Sequence, residues 1–166
     1  IIPAGSKMKY RSNVKKYSEF LFEVVDDTFH DRTKKNQDAG QFSIIVGGIS
    51  YGQGSSREHA ALCPMSLGVK AVITKSMERI HKANLINFGI IPLNFVNEGD
   101  YDKIEQDDEL EMAGIKGVIA GGQDTFKIKN KSKGFEFDVN LELSKQDREK
   151  ILEGGTLNVI GIRMSN

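Results

Sequence analysis

The stretch Tyr51–Leu62 reads YGQGSSREHAAL and crowds Gly52, Gly54, Ser55, Ser56, Arg57 and His59 between an apolar run and an alanine-rich run. The spacing predicts a loop that leaves a strand and enters a helix. At such a junction the first helical N–H groups have no partner within the helix. They face the loop, and the helix dipole favours negative charge there. Gly52 and Gly54 permit close backbone approach. Ser55 and Ser56 can donate through their hydroxyls, and Arg57 can grip a carboxylate or phosphate with two parallel bonds. These residue types suit an anion site. They equally suit a glycine turn with a serine helix cap and a solvated arginine, and the spacing leaves both readings open. No lysine follows the second glycine, so this is not a P-loop. No third glycine completes a dinucleotide fingerprint.

The elements that must position this loop follow from the flanking pattern. QFSIIVGG (41–48) is a short β-branched run ending in paired glycines, a buried-strand signature. SSREHAALCPMSLG (55–68) predicts a short helix with Pro64 as a possible break. VKAVITKS (69–76) predicts a strand, MERIHKANLINFG (77–89) a helix, and IIPLNF (90–95) a third strand. This β-α-β-α-β alternation implies a parallel sheet with right-handed crossovers. Further on, TFKIKNKSKGFEFDVNLEL (125–143) alternates as a hairpin around KSKG. Ser144 opens a helix through a capping box with Asp147, Gly154 and Gly155 end it, and TLNVIGIRM (156–164) predicts a last strand. Residues 1–16 and 31–40 read as polar loops, with a short helix around 17–25. The acidic run 105–111 reads as a solvated face.

The bulk numbers set limits. The chain has 166 residues, 39% hydrophobic and 28% charged, with 23 basic and 23 acidic side chains. That is enough apolar content for one folded domain over 1–166. A net charge of zero gives no support to nucleic-acid or membrane-surface binding. The apolar runs are too short to span a bilayer. One cysteine, Cys63, and three scattered histidines cannot build a metal or iron–sulfur site by themselves. The single cysteine also points to a reducing compartment. Ile1 is not a methionine, and IIPAGSKMKYRSN reads as the middle of a longer chain.

YGQGSSREHAAL, LGVKAVITKSMERIHKANLINFGIIPLNF and the opening IIPAGSKMKYRSN together resemble the C-terminal swivelling domain of the aconitases. The resemblance runs from end to end and is densest over 44–95. It implies an α/β fold, the three-layer β/β/α swivelling domain of the aconitase/isopropylmalate dehydratase superfamily. Aconitases are hydro-lyases of the tricarboxylic acid cycle that interconvert citrate and isocitrate through cis-aconitate. Their swivelling domain closes over a [4Fe–4S] cluster held by cysteines of other domains. The resemblance makes Ser55 the catalytic base, and Arg11, Ser56 and Arg57 substrate-binding residues. Gly52 and Gly54 supply the backbone of the anion loop. Related enzymes that act on isopropylmalate tend to lack the arginine at position 11, so Arg11 favours citrate and isocitrate.

The cluster cysteines are absent from this chain. The expectation is therefore a domain with no cofactor of its own, inactive alone, partnered by cluster-bearing domains or a large subunit. The resemblance implies the cytoplasm, or the mitochondrial matrix in a eukaryote. The alternatives are a small subunit of a two-chain isopropylmalate- or homoaconitate-type dehydratase, or a non-catalytic carboxylate-binding module. His59 is expected to make a supporting hydrogen bond, and His81 and Asn84 to pack and bond. Cys63 is expected to be a small buried residue. Lys75 lies at a strand end beside the presumed cleft, with no role assigned.

Overall fold

The computed structural model describes residues 1–54 and 58–165, of which 161–165 are described as backbone only. The strands are β1 (Ser43–Gly47), β2 (Val69–Thr74), β3 (Ile91–Phe95), β4 (Leu110–Glu111), β5 (Thr125–Asn130) and β6 (Phe135–Asn140). They form one sheet in the order β1-β2-β3-β6-β5-β4. β1, β2 and β3 run parallel. The crossovers between them are α3 (His59–Ser66) and α4 (Arg79–Asn87). The alternation read from the sequence is thus observed, with α3 starting four residues later than its first serine.

β2 is covered on both faces, which is why VKAVIT is almost continuously apolar. Ala71 and Ile73 pack with Leu93, Phe95, Phe137, Val139 and Leu141. Val72 points the other way, into a cluster with Ile45, Ala61, Leu85 and Ile90. Beyond β3 the sheet becomes antiparallel: β6 pairs with β3 through Asn94↔Asn140 and Phe95↔Val139, and β5 pairs with β6 along the hairpin. Lys127 and Asp138 stand outward across that hairpin, 3.2 Å apart, while Ile128 and Phe137 are buried.

Three expectations are corrected. Residues 31–40 are mostly helix, α2 (Phe29–Asp38), not loop. Its sequence lacks an apolar stripe because polar bonds hold it: Arg32 pairs with Asp26 and Asp107, and Asn36 and Gln37 donate to Ser43 Oγ and Ser66 O. Residues 1–16 are not all loop either: they hold a 3-10 turn over Gly5–Tyr10 and the start of α1 (Val14–Ser18). The helix expected around 17–25 therefore lies earlier. The segment 156–164 is not a strand but part of a helix. α5 (Ile115–Ala120), unmarked in the sequence, and α6 (Lys145–Leu152) precede it, and the helix itself is α7 (Thr156–Ser165). The acidic run 105–111 is mostly exposed, as read, with Asp108 the exception. Asp108 Oδ2 accepts from Glu105 N at 2.9 Å and from the buried Asn130 Nδ2 at 2.7 Å. Pro64 lies inside α3 without ending it.

Ser144 caps α6, and the reciprocal capping box with Asp147 is formed. Arg148, on the next turn, is only 7% exposed. Its guanidinium donates to the carbonyls of Leu143, Ile119 and Gln123, and to Asp124 Oδ1 at 2.7 Å. One side chain thus ties α6 to the end of α5 and the turn before β5. Replacing Arg148 with Ala leaves these acceptors without their donor. The expected destabilisation is about 3 kcal/mol, read as a fall in the urea midpoint. Arg148→Lys, which keeps the charge but lacks the fork, should recover less than half of it. A midpoint unchanged in the Ala variant would contradict this account.

Candidate active site

Because β1, β2 and β3 are parallel, their C-terminal ends share one edge, and the segments that follow β1 and β2 become neighbours. The segment 48–54 is fastened there by backbone bonds. Lys75 N donates to Gly48 O at 3.2 Å, Tyr51 N to Ser76 O at 2.9 Å, and Glu78 N to Tyr51 O at 2.9 Å. The Ser76 hydroxyl accepts from Ser50 N at 2.8 Å. Ser50 itself takes a left-handed φ of 52°.

Beneath this segment two rings stand edge to face, Tyr51 and His81, with centroids 5.3 Å apart. Gly52 lies directly on the imidazole. A β-carbon there would come within 2.4 Å of His81 Cβ, and the φ of Gly52 is 89°. Gly54 differs: its φ is 114°, but a β-carbon there meets open space. Gly52 is therefore required by contact and conformation, Gly54 by conformation alone.

Tyr51 Oη and His81 Nε2 are buried without a hydrogen-bond partner among the described residues. Burial pushes the Tyr51 phenol well above its usual range. Burial also lowers the His81 imidazole to about 4. Both rings are therefore neutral near pH 7 and themselves bring no charge to the loop.

Arg11 sits at the end of the 3-10 turn, exposed, with its N–H donating to Met8 O at 3.1 Å. Its carbonyl accepts from His59 Nε2 at 3.0 Å, across 48 residues of sequence. His59 is the first residue of α3, so Arg11 is carried to the helix end that the loop enters. Its guanidinium has no hydrogen bond or ion pair among the described residues. Met8, Arg11, Tyr17, Glu58 and His59 line one open cavity of about 230 Å³. That is smaller than the ~300–1,000 Å³ of a complete small-molecule site. Ser55, Ser56 and Arg57 lie outside the described residues; the structure places their flanks, Gly54 and Glu58, and no more.

The model of the Aconitase C-terminal domain matches residues 2–98. The chain belongs to the aconitase C-terminal domain family. Among curated relatives, a probable mitochondrial aconitate hydratase of Dictyostelium discoideum is 45% identical over 119 residues, covering 70% of this chain and 15% of that protein. A probable mitochondrial aconitate hydratase of Caenorhabditis elegans is 36% identical over 178 aligned residues, covering 95% of this chain and 23% of that protein. The chain thus spans less than a quarter of these relatives. The crystal structure of 3-isopropylmalate dehydratase from Methanocaldococcus jannaschii superposes with a TM-score of 0.72 at 28% identity, covering 92% of this chain and 79% of that one. The fold is accordingly that of the aconitase/isopropylmalate dehydratase superfamily.

Family membership brings the iron–sulfur cluster into view, and the residues present do not fit one. Cys63 is fully buried, and burial raises its thiol pKa, the opposite of what a thiolate ligand needs. Among the described residues no three His, Cys, Asp or Glu side chains gather as a metal site. Sequence reasoning missed Tyr51, Tyr17 and Glu58 as site neighbours, since nothing in their spacing distinguishes them from packing residues. His81, read as a packing and bonding residue, packs as expected but leaves Nε2 without a bond among the described residues. Lys75 is half-buried over the Tyr101 ring, 4.7 Å from its centroid, and 3.7 Å from Asp102. No helix of the structure is long and apolar enough to cross a membrane.

Two outcomes follow. Gly52→Ala should destabilise the fold by about 2–3 kcal/mol, combining overlap and strain, and Gly54→Ala by about 1 kcal/mol, from strain alone. Equal effects in chemical denaturation would refute the contact with His81. The second outcome concerns pH. An unfolded histidine titrates near ~6.5, whereas folded His81 titrates at about 4. Its contribution is whole above ~6.5 and is lost as pH falls toward 4, where the unfolded chain binds a proton that the fold rejects. The slope is at most about 1.4 kcal/mol per pH unit. His81→Asn should flatten the stability profile in that window, and an unchanged slope would exclude His81 as its source.

Proposed function

We propose that residues 1–166 are one swivelling domain of an aconitase-type hydro-lyase, the part that closes over substrate during interconversion of citrate and isocitrate through cis-aconitate. The observation that carries this reading is Arg11. Its backbone is bonded to the start of α3, and its guanidinium has no partner among the described residues. An unpaired cation held beside a helix N-terminus is matched to a carboxylate.

In this reading Ser55 is the base. It takes the proton from the substrate carbon next to a carboxylate, and the substrate hydroxyl leaves as water with a second proton that a donor in the rest of the enzyme would supply. A serine does this only if its alkoxide is held by fixed dipoles and cations. The N–H groups of Gly52 and Gly54, the first turn of α3 and Arg57 supply them. Arg11, Ser56 and Arg57 hold the substrate carboxylates. His81 is neutral and adds no charge. The [4Fe–4S] cluster belongs to the remaining domains, so the 166 residues alone are expected to turn over no citrate. The mitochondrial names of the aconitate hydratase relatives favour the matrix in a eukaryote; a bacterial enzyme would work in the cytoplasm.

A second reading has its own support. The match to 3-isopropylmalate dehydratase spans 79% of that chain, so the same fold serves there over most of one protein chain. A separate small subunit paired with a large one would suit it. Arg11 favours the first reading on substrate, because an apolar substituent gains nothing from a guanidinium.

In the complete enzyme, Ser55→Ala should lower kcat by about 10²–10⁴-fold, the worth of a general base, with KM little changed. Unchanged turnover would overturn the assignment of Ser55. Isopropylmalate turned over in preference to citrate would select the second reading.

A further inference from the structure

We infer that His59 is the positioning residue that aims Arg11, locking the carboxylate-binding arginine of the opening segment to the anion loop. The inference rests on the reading of Arg11 as a substrate-binding group. A carbonyl oxygen can only accept, so the 3.0 Å contact between His59 Nε2 and Arg11 O fixes the proton on Nε2. The Arg11 peptide is then held on both sides, its N–H by Met8 O at 3.1 Å and its carbonyl by His59. Only the side chain is left to move.

His59 is itself fixed. Tyr17 meets its ring edge-on at 5.4 Å. Tyr17 is 1% exposed, and its hydroxyl donates to Pro3 O at 2.8 Å. The imidazole thus joins three segments: the N-terminal residues through Tyr17, the Arg11 turn through its carbonyl, and α3 through its own backbone. His59 is the first residue of α3, so any shift of that helix end is transmitted to Arg11. Arg11 then approaches a polycarboxylate with its backbone already fixed, which lowers the ordering cost of binding. Without His59 the turn keeps its local bonds, Arg11 N to Met8 O and Asn13 N to Tyr10 O, but loses its tie across the fold. Affinity for substrate would suffer, and proton transfer by Ser55 would not.

The test uses the complete, cluster-loaded enzyme. His59→Leu should raise KM for citrate about tenfold, the size of one lost hydrogen bond, with kcat within about threefold. Should the Leu variant not fold, His59→Gln and His59→Glu have the same shape, but only Gln can donate to the carbonyl. Gln should keep KM near that of the parent, and Glu should raise it. In an Arg11→Gln background His59→Leu should add less than about twofold, because its effect runs through Arg11. A full additional tenfold loss there would overturn the inference. If Arg11→Gln alone leaves KM unchanged, the reading of Arg11 fails instead, whatever His59 does. An independent readout needs no turnover: the ¹⁵N NMR tautomer of His59 in this chain should be the Nε2–H form, and a predominant Nδ1–H form would refute the bond.

Discussion

The structure of this site depends on how the chain after β1 is fastened to the chain after β2. Parallel strands deliver both segments to one edge of the sheet, but delivery alone does not fix a loop. Backbone bonds between residues 48–51 and 75–78 do. They force Ser50 into a left-handed conformation and seat the Tyr51 ring on His81. Gly52 must then pass so close to the imidazole that a β-carbon has no room. Each step narrows the direction in which the chain can enter α3. The chain up to Gly54 is held by this sequence of constraints before any ligand arrives.

The two rings beneath the loop are unusual in being polar and uncharged. Tyr51 Oη and His81 Nε2 are both buried and unpartnered among the described residues, and each such group costs stability. An apolar residue would remove the cost. The two rings instead provide bulk and rigidity.

Much of the scaffold was legible in the sequence. The β1-α3-β2-α4-β3 run could be read because a central parallel strand such as VKAVIT must be apolar on both faces, and its crossovers end at glycines. The hairpin and the Ser144–Asp147 capping box were legible because their chemistry is local. α2 was not, because Phe29 and Thr33 are too few to mark a face and its anchors, Asp107 and Ser66, are distant in sequence. α7 was misread for the opposite reason. Thr156, Val159 and Ile160 favour a strand by propensity, but Gly155 turns the chain, and Thr156 Oγ1 bonds to Asn87 at the end of α4. Tertiary contact overrides a weak local preference.

The candidate site divides along the same line. Its loop was visible because glycines, serines and an arginine within a few positions form a local pattern. Its other half was not readable from spacing. Arg11 stands in a basic stretch with Lys7, Lys9, Lys15 and Lys16, and nothing local separates it from them. What separates it is a bond from His59 to its own backbone, 48 residues away. Lys7 and Lys16 are engaged with Glu23 and Glu19, whereas the Arg11 guanidinium is left without a partner among the described residues. A cation kept unpaired while its backbone is fixed forgoes the stability that an ion pair would add. Surface pairs contribute little in any case, so the fold loses almost nothing by leaving Arg11 open.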